Sequence, residues 1–251
     1  MTNQDLLLEI HLYGFLTLVS VLIALFLVIL ILIKAIKTKE IKLYLFTIAA
    51  FAMISPWFPT TIGYIYWIMT MQMFSKSAQL LLGLVFVPVA ILSWLEIYRR
   101  VKSKRLGLIL IISYGILSIL AELFLIYYLY VAPGAPVESM IADTQVSSNY
   151  VVHINYKGIL VVYALISICI AWITGIHFAL ISIKQGSTQI IRLRGKLILI
   201  GFNLFLITVI IESFYIFIII MIIARILLVT TIVFLYLGFV FPTWLEKRIV
   251  K

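Results

Sequence analysis

Sixteen of the nineteen Lys and Arg residues in this 251-residue chain fall into four short clusters, and long apolar runs separate the clusters. They are Lys34, Lys37, Lys39 and Lys42; Arg99, Arg100, Lys102, Lys104 and Arg105; Lys184, Arg192, Arg194 and Lys196; and Lys247, Arg248 and Lys251. Only Lys76, Lys157 and Arg225 lie elsewhere. Basic residues close to the ends of membrane spans mark the cytoplasmic side. A basic cluster in every second loop therefore predicts both the number of crossings and their direction. The expected fold is an all-α bundle of seven transmembrane helices, with the N-terminus outside and the C-terminus cytoplasmic.

Composition agrees with a bilayer as the solvent. The chain is 65% apolar and 11% charged, whereas soluble domains carry roughly 45–50% apolar and about 25% charged residues. A span takes roughly 20 apolar residues, so seven of them leave too little chain for a separate soluble domain. The formal charge of +10 would fit nucleic acid in a soluble protein. Here it sits next to the spans, where it sets orientation and attracts anionic lipid on the cytoplasmic side. Asp5 and Glu9 precede the first apolar run, which is too long for a signal peptide and lacks a basic leader, so the first helix is expected to be retained. Cys169 has no partner for an intrachain disulfide. The predicted location is the cell membrane, and the short loops without an Asn-x-Ser/Thr sequon suggest a prokaryotic source.

The predicted spans cover about residues 7–33, 43–59, 78–98, 106–131, 159–183, 197–216 and 221–241 in one domain. The second should end at the Ser55-Pro56-Trp57-Phe58-Pro59 stretch, before an aromatic belt of Tyr64, Tyr66 and Trp67. Residues 60–74 are either interfacial or dip into the membrane. Pro88 predicts a kink in the third span. Residues 132–157 form one long exterior loop, either a lid or disordered. Residues 197–241 are too long for one span and fit two, joined by a tight turn near residues 217–220.

Three charged residues lie inside spans: Glu122, Glu212 and Arg225. Counting 1.5 Å per residue from the basic ends puts them roughly 24, 22 and 25 Å into the bundle, in a single layer of its outer half. Intramembrane charges usually pair or serve function. One reading is a structural Glu212–Arg225 pair locking the last two helices. The other makes Glu122 the partner-poor member of a triad lining an outward pocket. There it can bind a cation or change protonation, because burial disfavours the charged carboxylate.

Glu96 precedes Arg99 and Arg100 at the end of the third span, an i,i+4 pair in its plainest reading. With Arg192 and Arg194 these residues are the candidate surface for a cytoplasmic or membrane signalling partner. His11, His153 and His177 lack ligand spacing, so neither a haem pair nor a metal centre is expected. Asn203 reads as interhelical glue, and Tyr127, Tyr128 and Tyr130 as interfacial belt. Nucleophile elbows, zinc-protease helices and phosphate loops are missing, so no enzyme is expected. The last span holds no lysine for retinal, and no cofactor is predicted. The uneven placement of prolines between the halves argues against a repeat-built sugar transporter.

The third span reads Leu82-Gly83-Leu84-Val85-Phe86-Val87-Pro88, then Trp94-Leu95-Glu96-Ile97-Tyr98. This resembles the third helix of the seven-helix sensor region at the N-terminus of some prokaryotic histidine kinases, with a small residue before a mid-helix proline and an aromatic end. Span number, orientation and the aromatic-rich connection before that helix agree with the resemblance. It implies a sensor. The sequence departs from those kinases after Gly238–Trp244, with neither a phosphoacceptor histidine nor an ATP-binding segment. The expected function is therefore a receptor-like sensor without its own catalytic domain, binding a small or lipophilic ligand in the outer half. Alternatives are a small transporter or channel using the same charged layer, or a structural subunit of a membrane complex.

Overall fold

The computed structural model describes residues 3–72, 74–102, 104–131, 142–147, 150–156, 158–213 and 218–242. Seven helical stretches are long and apolar enough to cross a membrane. They are α1 (Asn3–Thr38); α2 (Ile41–Met53) with α3 (Phe58–Thr70); α4 (Lys76–Leu84) with α5 (Val87–Val101); α6 (Lys104–Ile126); α7 (Gly158–Gln185); α8 (Gln189–Ser213); and α9 (Ile218–Val240). α1 packs on α2 and α9, α2 on α5, α5 on α6 and α7, and α7 on α8, which completes the ring against α9.

Proline explains why two spans are broken without ending. A proline inside a helix removes a backbone hydrogen bond, but in the first turn its missing N–H is unneeded. Pro56 lies in a 3₁₀ turn at Ser55–Trp57, and Pro59 and Pro88 fall in the first turns of α3 and α5. Each proline restarts a helix. The second span consequently continues to Thr70 instead of stopping near residue 59, and residues 60–70 are helix. The third is divided just before Pro88, between Leu84 and Val87.

The bundle itself is helical, as expected, and within residues 132–157 the described residues include a short antiparallel hairpin, β1 (Ala142–Ser147) with β2 (Tyr150–Tyr156). α8 ends at Ser213 and α9 begins at Ile218, so residues 218–220 of the expected turn are helical, while residue 217 lies outside the described residues.

Lysine and arginine cluster where α1, α5, α7 and α9 end, and this basic end is packed with aromatic rings. Phe46 stacks on Phe239 with centroids 3.6 Å apart, and Trp94 lies 4.8 Å from Phe202. Gly175 permits this packing, since a Cβ there would collide with the Phe202 ring. The opposite faces of α1 and α6 expose Phe15, Leu22, Phe26, Ile116 and Leu123. Such apolar surface suits lipid and not water.

Candidate functional site

Arg225 of α9 is 3% exposed, and every part of its guanidinium has a use. Nε donates to Thr17 Oγ1 at 3.0 Å, and Nη2 donates to the Tyr13 hydroxyl at 3.1 Å. Nη1 faces Glu212 Oε1 at 2.7 Å as an ion pair. The Cζ atom also lies 5.2 Å from the Tyr13 ring centroid, within cation–π range. Trp57 Nε1 completes the cluster by donating to both Glu212 oxygens at 3.0 Å.

Local structure dictates who takes part. Tyr13 and Thr17 are four residues apart, so they share one face of α1. The Thr17 hydroxyl donates back to Tyr13 O at 2.8 Å, which leaves its lone pair for Arg225. Trp57 is held by the 3₁₀ turn, whose change of direction turns the indole N–H toward α8. The cluster thus ties α1, the α2–α3 break, α8 and α9 through one cation.

Glu122 is not part of it. No hydrogen bond or ion pair joins Glu122 to Glu212 or Arg225, and the expected three-membered layer is in fact two separate regions. Glu122 is half-buried on α6, one turn beyond Ser118 and two beyond Tyr114. Those residues form a second polar network with α7. Tyr114 Oη lies 3.1 Å from Tyr163 Oη and 2.8 Å from Ser167 Oγ, while Tyr163 donates to Ser118 Oγ at 3.4 Å. Ser167 Oγ donates to Tyr163 O at 2.8 Å.

The candidate partner-surface residues are largely occupied within the chain. Glu96 accepts from Arg99 at 2.6 and 2.8 Å and from Arg100 at 2.7 Å. Arg192 Nε donates to Gly186 O at 3.1 Å, capping α7. Arg194 donates to Gly238 O and Phe239 O at 2.9 and 2.5 Å, and Lys34 donates to Val240 O, so two cations close α9. Cations at helix C-termini satisfy the last carbonyls and complement the helix dipole. Next to them Tyr98 Oη meets His177 Nδ1 at 2.5 Å, and Trp94 Nε1 donates to Thr174 Oγ1 at 2.8 Å.

Between the Arg225 cluster and the basic end lies a partly open, almost wholly apolar cavity of about 30 Å³, bounded by α1, α2, α8 and α9. Trp57 forms one wall and Phe46, Phe205 and Leu228 others. Glu122 does not reach it. Among the described residues no three His, Cys, Asp or Glu side chains gather as a metal site.

Tyr13, Thr17, Trp57 and the tyrosine–serine network do not stand out as site residues in the sequence. A signal for most of them exists. Tyr-x-x-x-Thr in α1 and Tyr-x-x-x-Ser in both α6 and α7 each put two hydroxyls on one helix face inside an apolar run. Comparison with known proteins finds no matching family model, no matching characterised protein and no matching solved structure.

Proposed function

We propose that this is a receptor-like sensory protein of the cell membrane, with its N-terminus outside, its C-terminus cytoplasmic and a lipophilic ligand bound within the bundle. The observation that carries the reading is the apolar cavity set directly against Trp57, itself hydrogen-bonded to Glu212. A transit site needs polar groups that exchange partners along a path. The Glu212 and Arg225 charges are instead engaged with one another and with three neighbouring side chains, and the space toward the basic end is lined by aliphatic and aromatic groups. The divided third span, the feature behind the resemblance to kinase sensor regions, supplies a joint between the membrane interior and Glu96, Arg99 and Arg100.

A transporter is favoured by one observation only. Glu122 is half-buried in an apolar span, and no ion pair or hydrogen bond engages it among the described residues. Proteoliposomes separate the two readings. Ligand-dependent change at the basic end without solute flux supports the sensor, whereas uptake that disappears in Glu122→Gln rejects it. Orientation is tested in a Cys169→Ser background. A cysteine at Ser187 should react only from the cytoplasm and one at Ser147 only from outside, and the reverse pattern overturns the assignment.

A further inference from the structure

The cavity holds one polar atom that the rest of the bundle does not explain. Serine and threonine hydroxyls in these helices return to the carbonyl four residues earlier: Thr47 to Leu43, Thr174 to Ile170, Thr208 to Leu204 and Thr230 to Ile226. Ser55 and Thr61 lack a partner but do not line the cavity; the third such hydroxyl, which does line it, is that of Thr231, next to Thr230 on α9. Its side chain is 1% exposed, its Oγ1 has no hydrogen-bond partner, and it lines the cavity. A buried hydroxyl without a partner is destabilising, so its retention in a dry wall points to a group that completes it.

Water is a poor candidate. A cavity of about 30 Å³ has room for it, but an ordered internal water needs two to four polar partners. Thr231 supplies one. Among the other lining residues Trp57 Nε1 is committed to Glu212, and the Tyr236 hydroxyl would at best supply a second partner, the bare minimum for an ordered water. A charged ligand is excluded as well, because the wall offers nothing to offset its desolvation. The remaining occupant is slender, apolar and uncharged, with one oxygen.

We propose that this cavity binds the end of an alkyl chain bearing a single hydroxyl or carbonyl oxygen, which hydrogen-bonds Thr231 while its carbons fill the space between Phe46, Trp57, Phe205 and Leu228. At 1.5 Å per residue Thr231 lies about 9 Å along α9 from Arg225, so the partly open site sits well inside the span. Packing against Trp57 links its occupancy to the Glu212–Arg225 pair. The inference deepens the sensor reading by naming the site and the ligand class.

Photolabelling of the reconstituted full chain tests it. The probe is octanol carrying a photoreactive diazirine, compared with a diazirine octane that lacks the hydroxyl and stands in for a lipid tail. Saturable adducts on the peptides holding Trp57 or Tyr236, displaced by plain octanol, are expected. Thr231→Val keeps the shape and should weaken octanol labelling about tenfold, whereas Thr231→Ser should restore most of it. Leu228→Phe should block the cavity and abolish both. Equal labelling by the two probes, indifference to Thr231→Val, or unsaturable adducts spread over lipid-facing residues such as Leu22 and Ile116 would each overturn the site. The sensor reading fails separately: saturable labelling with no ligand-dependent change at the basic end removes that reading and leaves the site intact.

Discussion

Two carboxylates at similar depth, Glu212 on α8 and Glu122 on α6, have opposite surroundings. Glu212 meets Arg225 at 2.7 Å and Trp57 at 3.0 Å, while Glu122 borders a network of tyrosine and serine hydroxyls that is complete without it. The difference arises from neighbours and not from depth. α8 and α9 are the most extensively packed pair of helices, and α1 packs along α9. α6 sits at the flank of the ring, with its outer face exposed. A charge between packed helices has to be matched by its neighbours. One on a flanking helix can turn toward the interface or remain idle.

The comparison is most easily broken at Arg225. Replacing Arg225 with Ala leaves Glu212 without its cation, and removing one member of a buried pair costs about 3–5 kcal/mol. Arg225→Met combined with Glu212→Leu should cost less than the single change, because no uncompensated charge remains. Thermal melts in detergent check this. Equal losses in the single and double variants would mean that the pair contributes nothing beyond packing volume.

Trp57→Phe is the next largest change. It keeps most of the ring but removes the donor shared by both Glu212 oxygens, and a hydrogen bond to a charged group is worth about 1.5–3 kcal/mol. The expected loss in the same melts lies in that range. A neutral result would assign the stability to Arg225 alone.

What could be read from the chain divides along the same line. The axial positions of Glu212 and Arg225 follow from counting residues from the basic clusters, because helix rise is constant, and the short connection makes their meeting a local matter. Sideways positions do not follow. Hydropathy tells which residues cross the membrane but not which helices touch, so Glu122, counted to the same height, reads as a member of the same layer. Thr17 and Tyr13 are hidden for another reason: a hydroxyl in an apolar helix usually bonds its own backbone, as Thr17 does, and only the arrival of α9 gives it a second role. Trp57 reads as interfacial because Pro56 and Pro59 resemble a span end. The physical outcome differs because both prolines take first-turn positions, where the helix tolerates them.

The tyrosine–serine network should respond more gently. Tyr163→Phe removes the contacts to Tyr114 and Ser118, and interhelical hydrogen bonds within membranes average about 0.6 kcal/mol. Tyr114→Phe should behave alike, and the two changes together should be less than additive because they share one bond. A loss as large as that of Arg225→Ala would make this network, and not the ion pair, the principal tie of the bundle.

The smallest effect on stability is expected at Glu122. Glu122→Gln preserves shape and removes only the charge, and with no described partner to strand, the change should stay within about 0.5 kcal/mol. The same substitution at the other carboxylate is informative by contrast. Glu212→Gln also preserves shape, yet it leaves Arg225 facing a neutral amide and should be clearly destabilising in the same melts. If Glu122→Gln proves as damaging as Glu212→Gln, then Glu122 has a partner of equal weight and the two regions are alike. If it is neutral in stability but alters flux or ligand-dependent change in proteoliposomes, the carboxylate is present for function, since a charge in an apolar span that does nothing for packing is otherwise an uncompensated cost.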